Sequence, residues 1–141
     1  MTQDAGDDVV RRLLGETTTW AVVGLRDNPI RPAYGVARFL QRHGKRIVPV
    51  HHQPQDVYGE TAYARLADIP FPVDVVDVFV NSSLAGDIAD QAVAIGAKAV
   101  WFQLGVIDEA ASERVTAAGL DMVVDRCPVI EWPRLGPAET A

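Results

Sequence analysis

The residues best suited to do chemistry gather in one loop, LRDNPIR, between an apolar run that ends at Gly24 and a helical stretch that begins near Pro32. Arg26 and Arg31 bring two guanidinium groups to it, and a guanidinium recognises phosphate through charge-assisted, often bidentate hydrogen bonds. Pro32 suits the first turn of a helix, because it lacks an N–H and has its φ preset. The first-turn N–H groups of such a helix, near Ala33 and Tyr34, are placed to meet an anion. Gly24, Leu25 and Asn28 complete the candidate loop, with Arg31 the leading phosphate contact and Arg26 the second.

Three further loops carry the remaining candidates. His51 and His52 follow the run RIVPV and are placed to face a ribose phosphate or an adenine. Adjacent residues of an extended strand face opposite sides, so one of the two is expected to pack inward. Asn81 and Ser82 follow the third apolar run, where a helix cap is the plainer reading and their N–H groups lie at the same edge. Gln103 and Gly105 end the fourth run, and Gly105 serves either a close ligand approach or the turn itself.

What is missing narrows the chemistry. A dinucleotide fingerprint needs two more glycines soon after Gly24, and a Walker pattern is absent too. NAD-binding folds place an acid after the second strand, where this chain has His51 and His52 and no acid before Asp56. That leaves room for a ligand with phosphate on its ribose. Ser82, Ser83 and Ser112 fall at cap positions without a His–acid partner, and G-x-S-x-G does not occur. Asp74 and Asp77 lie three apart, which turns them to opposite faces of a strand. Neither histidine of the pair has a partner pattern for metal binding or general-base work. The chain is therefore not expected to be an enzyme, and no metal site is expected.

These loops need a frame, and the hydrophobic pattern supplies one. Apolar runs at residues 19–25, 46–50, 73–80, 97–103 and 120–124 read as strands buried on both faces. Residues 33–43, 84–95 and 108–118 read as helices, closed by Gly44, Gly96 and Gly119. Ser82 and Ser83 are taken to cap the second and Asp108 the third. A short leading helix is expected over 9–16 and a broken crossover over 53–72. Residues 127–141, with Pro128, Pro133, Gly136 and Pro137, read as an irregular tail in which Trp132 is a candidate cover for the crevice. Strand, helix, strand repeated gives an α/β fold: a Rossmann-like, doubly wound, parallel five-stranded sheet of order 3-2-1-4-5 with helices on both faces. Ligands of such sheets bind outside the carboxyl ends of the strands, where the order reverses.

Bulk properties agree with a single domain spanning residues 1–141. With 13 Lys and Arg against 19 Asp and Glu the formal charge is −6, which disfavours nucleic acid or an anionic membrane as partner. One cysteine, Cys127, allows no internal disulfide, and the acidic N-terminus lacks a signal-peptide layout, so a cytoplasmic location is expected. Residues 26–52 hold six of the 13 cations and only one acid, Asp27. Arg38, Arg42, Lys45 and Arg46 are read as a solvated face, leaving Arg26, Arg31 and the His pair for a ligand.

The runs from Trp20 to Ala37, RIVPVHHQPQDVYGETAYARLADIP, VDVVDVFVNSS, AKAVWFQLGVIDEAA and GLDMVVDRCPVIEWPRL resemble the stand-alone bacterial and archaeal CoA-binding domain proteins. That family is similar to the N-terminal CoA-binding domain of the succinyl-CoA synthetase α-subunit. The resemblance covers residues 17–135, and WFQLG and DRCPVIE are its most specific segments. It implies coenzyme A, or an acyl-CoA, bound across the carboxyl edge as the small-molecule partner, with a protein partner left open. Gly24, Arg31 and Pro32 match the family's G-x-S and R-P-S loop. Arg26 and Ala33 stand where serines are usual, and His51 and His52 follow Val50 where the family reads V-N-P or V-H-P. Cys127 reads as a small packed residue, with a mixed disulfide to the CoA thiol as the sharper alternative. The function expected is non-catalytic binding, as a sensor, carrier or regulatory module. An NAD(P)-binding oxidoreductase-type domain and a ligand-free interaction module are the competing readings.

Overall fold

A computed structural model describes residues 6–138. Five strands, β1 (Thr19–Val23), β2 (Arg46–Val50), β3 (Val75–Val78), β4 (Ala99–Phe102) and β5 (Asp121–Val123), form one sheet in the order β2-β1-β3-β4-β5. All pairs are parallel. The five-stranded, all-parallel Rossmann-like sheet is as expected, but in chain numbering its order is 2-1-3-4-5: the run around Val75 lies beside β1 in the middle of the sheet. Beyond β2 there is only a single parallel bridge, from Val50 to Tyr63, because the crossover after β2 holds no strand of its own.

Helices cover both faces, as buried parallel strands require. α1 (Asp7–Glu16), α2 (Pro32–Arg42) and a C-terminal α5 (Pro128–Leu135) pack on one side, around Leu14, Trp20, Leu40, Trp101 and Trp132. α3 (Ser82–Ala94) and α4 (Glu109–Ala117) pack on the other, around Val48, Val76, Ala89, Phe102 and Val115. Strand alternation splits the core cleanly: Trp20 and Val22 face the first layer, Ala21 and Val23 the second. α3 meets the sheet through Ala85, Ala89 and Ala92, small residues that let it lie close.

Three details differ from the pattern in the sequence. The expected irregular tail is helical in its first part, and residues 139–141 lie outside the described residues. Pro128 occupies the first turn, where no N–H is missed, and burial of Trp132 and Leu135 stabilises a helix that carries Pro133 inside it. α3 is capped by Asn81, whose side chain accepts from the Ser83 N–H, so the serines sit inside the helix. Lys45 is not on a solvated face: it is buried, its ammonium donates to the Thr17 carbonyl and it stands 6.0 Å from the centre of the Trp132 ring. Asp108 caps α4 as expected, accepting from the Ala111 N–H at 3.0 Å. The crossover after β2 shortens to a 3-10 turn at Leu66–Asp68.

Candidate functional site

Strands β1 to β4 end together at one edge, and the chain leaves β1 toward β2 on one side and returns to β3 on the other. A crevice of about 1140 Å³ opens at this switch point. That exceeds the roughly 300–1,000 Å³ usual for small-molecule sites, so it accommodates a long ligand.

Its floor depends on Gly24. The residue has φ +104°, and a Cβ there would stand 3.1 Å from the Phe79 carbonyl oxygen. Only glycine suits both the backbone conformation and the approach of the two loops. The loop that follows is bonded to itself and to the next one. Asn28 N–H donates to the Arg26 carbonyl at 2.8 Å, Arg31 N–H to the Asn28 carbonyl at 3.1 Å, and Asp27 N–H to the Gln55 side chain at 3.2 Å. Arg26, Asn28, Arg31, Pro32 and Ala33 therefore form one wall as a set. Neither Arg26 nor Arg31 is ion-paired among the described residues, and the Nε of Arg26 is buried without a hydrogen-bond partner. Such a donor costs free energy until something accepts from it.

The histidines depart from expectation. They do not split to opposite faces, because both lie just past the end of β2; their rings stack at 4.4 Å and both line the crevice. His51 Nδ1 accepts from the Gln53 N–H at 3.0 Å, which places the neutral ring's proton on Nε2. Partial burial holds its pKa below the usual histidine value, and His52, Arg26 and Arg31 push the same way.

Gln103 and Asn81 also line the crevice, and Gln103 is 6% exposed with its side-chain oxygen unpartnered. Four candidates are not in the wall. Leu25 is fully buried in the core. Tyr34 packs on Tyr58, accepts its hydroxyl at the backbone carbonyl at 2.8 Å, and turns its own N–H to the Arg31 carbonyl. Ser82 accepts from the Ile107 N–H at 3.0 Å and donates to the Gly105 carbonyl at 3.2 Å. Gly105, at φ +79°, makes the turn and donates to Asp125 at 2.7 Å. Ser82 and Gly105 thus pin the β3–α3 and β4–α4 loops together.

The sequence pattern missed part of the wall. Arg65 reaches it because the Val50–Tyr63 bridge folds the crossover back along β2, which no local signal announces. Leu84, Asp87, Ile88 and Gln91 come from one face of α3, and their i, i+3, i+4, i+7 spacing is the signal in the sequence that groups them. Cys127 is buried and lines the crevice. Trp132 does not cover it: the ring packs on Phe39 and His43 of the α2 layer, at centroid distances of 5.7 and 4.8 Å. Asp77 is fully buried and unpartnered on β3, outside the crevice wall, and burial pushes its carboxyl well above the usual range.

The class this fold and site define is a Rossmann-like α/β domain with an arginine-lined crevice at its switch point. The model of the CoA binding domain matches residues 18–133, and the chain belongs to that family. It is 30% identical over 118 residues to the uncharacterized protein YneT of Bacillus subtilis (strain 168), covering 84% of this chain and 87% of that protein. Among solved structures it is similar to a hypothetical protein from Pyrococcus horikoshii OT3, with TM-score 0.89, 35% identity and 94% of each chain covered. It is also similar to Prb, described as the PH1109 protein redesigned for binding, with TM-score 0.90, 34% identity, and 98% and 99% of the two chains covered.

Proposed function

We propose that the crevice binds coenzyme A or an acyl-CoA without catalysing a reaction on it, serving as a sensor, carrier or regulatory module. The observation that carries this reading is the pair of guanidinium groups, Arg26 and Arg31, held on the wall with no carboxylate partner among the described residues. A ligand with several phosphates satisfies both, and His51 offers a neutral Nε2–H donor beside them. The adenosine end then lies toward β2 and the histidines, and the pantetheine toward β3 and β4. Gln103, buried with an open acceptor, suits an amide N–H of pantetheine, a group that NAD lacks in that place. Arg26 takes over the position where the family commonly has a small hydroxyl donor.

The non-catalytic part rests on the side chains of the wall. The titratable groups there are arginines, two stacked histidines, Asp87 and Cys127, and Asp87 is taken up by the Gln91 side chain at 2.8 Å. No nucleophile, base and orienting acid converge among the described residues.

Calorimetric titration of ligand-stripped protein with CoA, dephospho-CoA and NAD tests the reading. CoA is expected to bind, to weaken when the 3′-phosphate is removed, and to outcompete NAD. Binding of NAD alone would establish a dinucleotide domain, and silence from all three an interaction module.

A further inference from the structure

The crevice has two chemically different ends. The side of β1 and β2 carries Arg26, Arg31, Arg65 and the histidines; the side of β3, α3 and β4 is the more aliphatic, with Val80, Leu84, Ile88, Leu104 and Val106 beside the polar Asn81 and Gln103. Leu84 and Leu104 are 60% and 53% exposed, and Ile107 beside them is 51% exposed. These are large apolar side chains from the first turn of α3 and from the β4–α4 loop, and the Ser82 hydroxyl locks the two to each other through Ile107 and Gly105. The aliphatic end is therefore a held wall. Its one carboxylate, Asp87, repels phosphate and so fixes which end takes the anion.

We infer that this wall is an acyl-chain subsite, and that the ligand is a medium-chain acyl thioester of CoA in preference to free CoA. The inference rests on the CoA reading given above. A cavity that is cationic at one end and aliphatic at the other matches an amphiphile with an anionic head. The phosphates, once on the arginine loop, set the thioester end toward Leu84 and Leu104. A cavity of about 1140 Å³ leaves space for a chain beyond the pantetheine. Leu84 and Leu104 line the same crevice as the arginine loop, which favours a chain tethered to a bound head group over a separate protein partner.

The test is a calorimetric series with CoA, acetyl-, butyryl-, hexanoyl- and octanoyl-CoA on the intact protein. A fully buried methylene strengthens binding about fourfold; for a half-open wall roughly a doubling per methylene is expected, or on the order of 50-fold from acetyl to octanoyl. Leu104→Asp, at an exposed position, is expected to flatten that slope. A series flat in the wild type overturns the inference while CoA binding itself still stands. Failure of every member, CoA included, instead overturns the reading beneath it. Equal weakening of CoA and octanoyl-CoA by Leu104→Asp assigns the wall to pantetheine and also overturns the inference. So does a flat series in a wild-type dimer that Leu104→Asp dissociates, since a second copy then covers the wall.

Discussion

Arg31 and Arg26 differ in how they are held, and that difference is testable. Arg31 is exposed on the crevice wall, so Arg31→Ala is expected to cost CoA about 1.5–3 kcal/mol, or about 10- to 150-fold in affinity, without loss of stability. Unchanged affinity would remove the phosphates from this loop. His51 gives a pH signature. Its pKa is held down by burial and by neighbouring cations, and a bound phosphate works in the opposite direction. Binding should therefore take up protons, and affinity should rise as pH falls from 7 toward 5.5. Titrations in buffers of different ionisation enthalpy measure that uptake directly. Asp77 makes the converse prediction for folding. Its carboxyl has a raised pKa in the fold, so below about pH 4 it is protonated in both states and adds no pH dependence. Above that the unfolded chain ionises while the fold does not, and stability falls by up to about 1.4 kcal/mol per pH unit until the buried carboxyl ionises too. Asp77→Asn should gain on the wild type between pH 4 and pH 7 in urea unfolding. A difference independent of pH would show that Asp77 titrates normally.

At the scale of elements, α5 supports the fold from outside the crevice. Trp132 and Leu135 close the layer formed by α1 and α2, and Arg126 and Arg134 both pair with Asp7 of α1, at 3.2 and 2.9 Å. These exposed ion pairs contribute little; the buried indole contributes most. Trp132→Ala is expected to cost about 3 kcal/mol in chemical unfolding and to leave CoA affinity unchanged, because the ring does not line the crevice. A changed affinity would mean that α5 reaches the ligand. The first strand and its helix were legible in the sequence because an apolar run, Gly24 and Pro32 each carry a local conformational meaning. α5 was not, because two prolines and a glycine signal irregular backbone, whereas burial of Trp132 decides in favour of helix.

For the whole molecule, a ligand that binds only the folded state stabilises it by RT ln(1 + [L]/Kd), about 2.7 kcal/mol at a hundredfold excess over Kd. For a 141-residue chain this raises Tm by about 5–10 °C, and CoA should do so more than dephospho-CoA in a thermal scan. The sequence by itself determined the doubly wound parallel sheet, the edge at which the crevice opens and the arginine loop on its wall. Buried parallel strands, helix stops and turn glycines are local patterns, and sheet topology then leaves one edge for binding. Only the tertiary structure decided the stacking of His51 on His52, the arrival of Arg65, the burial of Lys45 and the aliphatic end formed by Leu84 and Leu104. Each depends on residues distant in the chain meeting across a crossover or a loop contact. Nothing in local spacing encodes which distant partner a side chain will find.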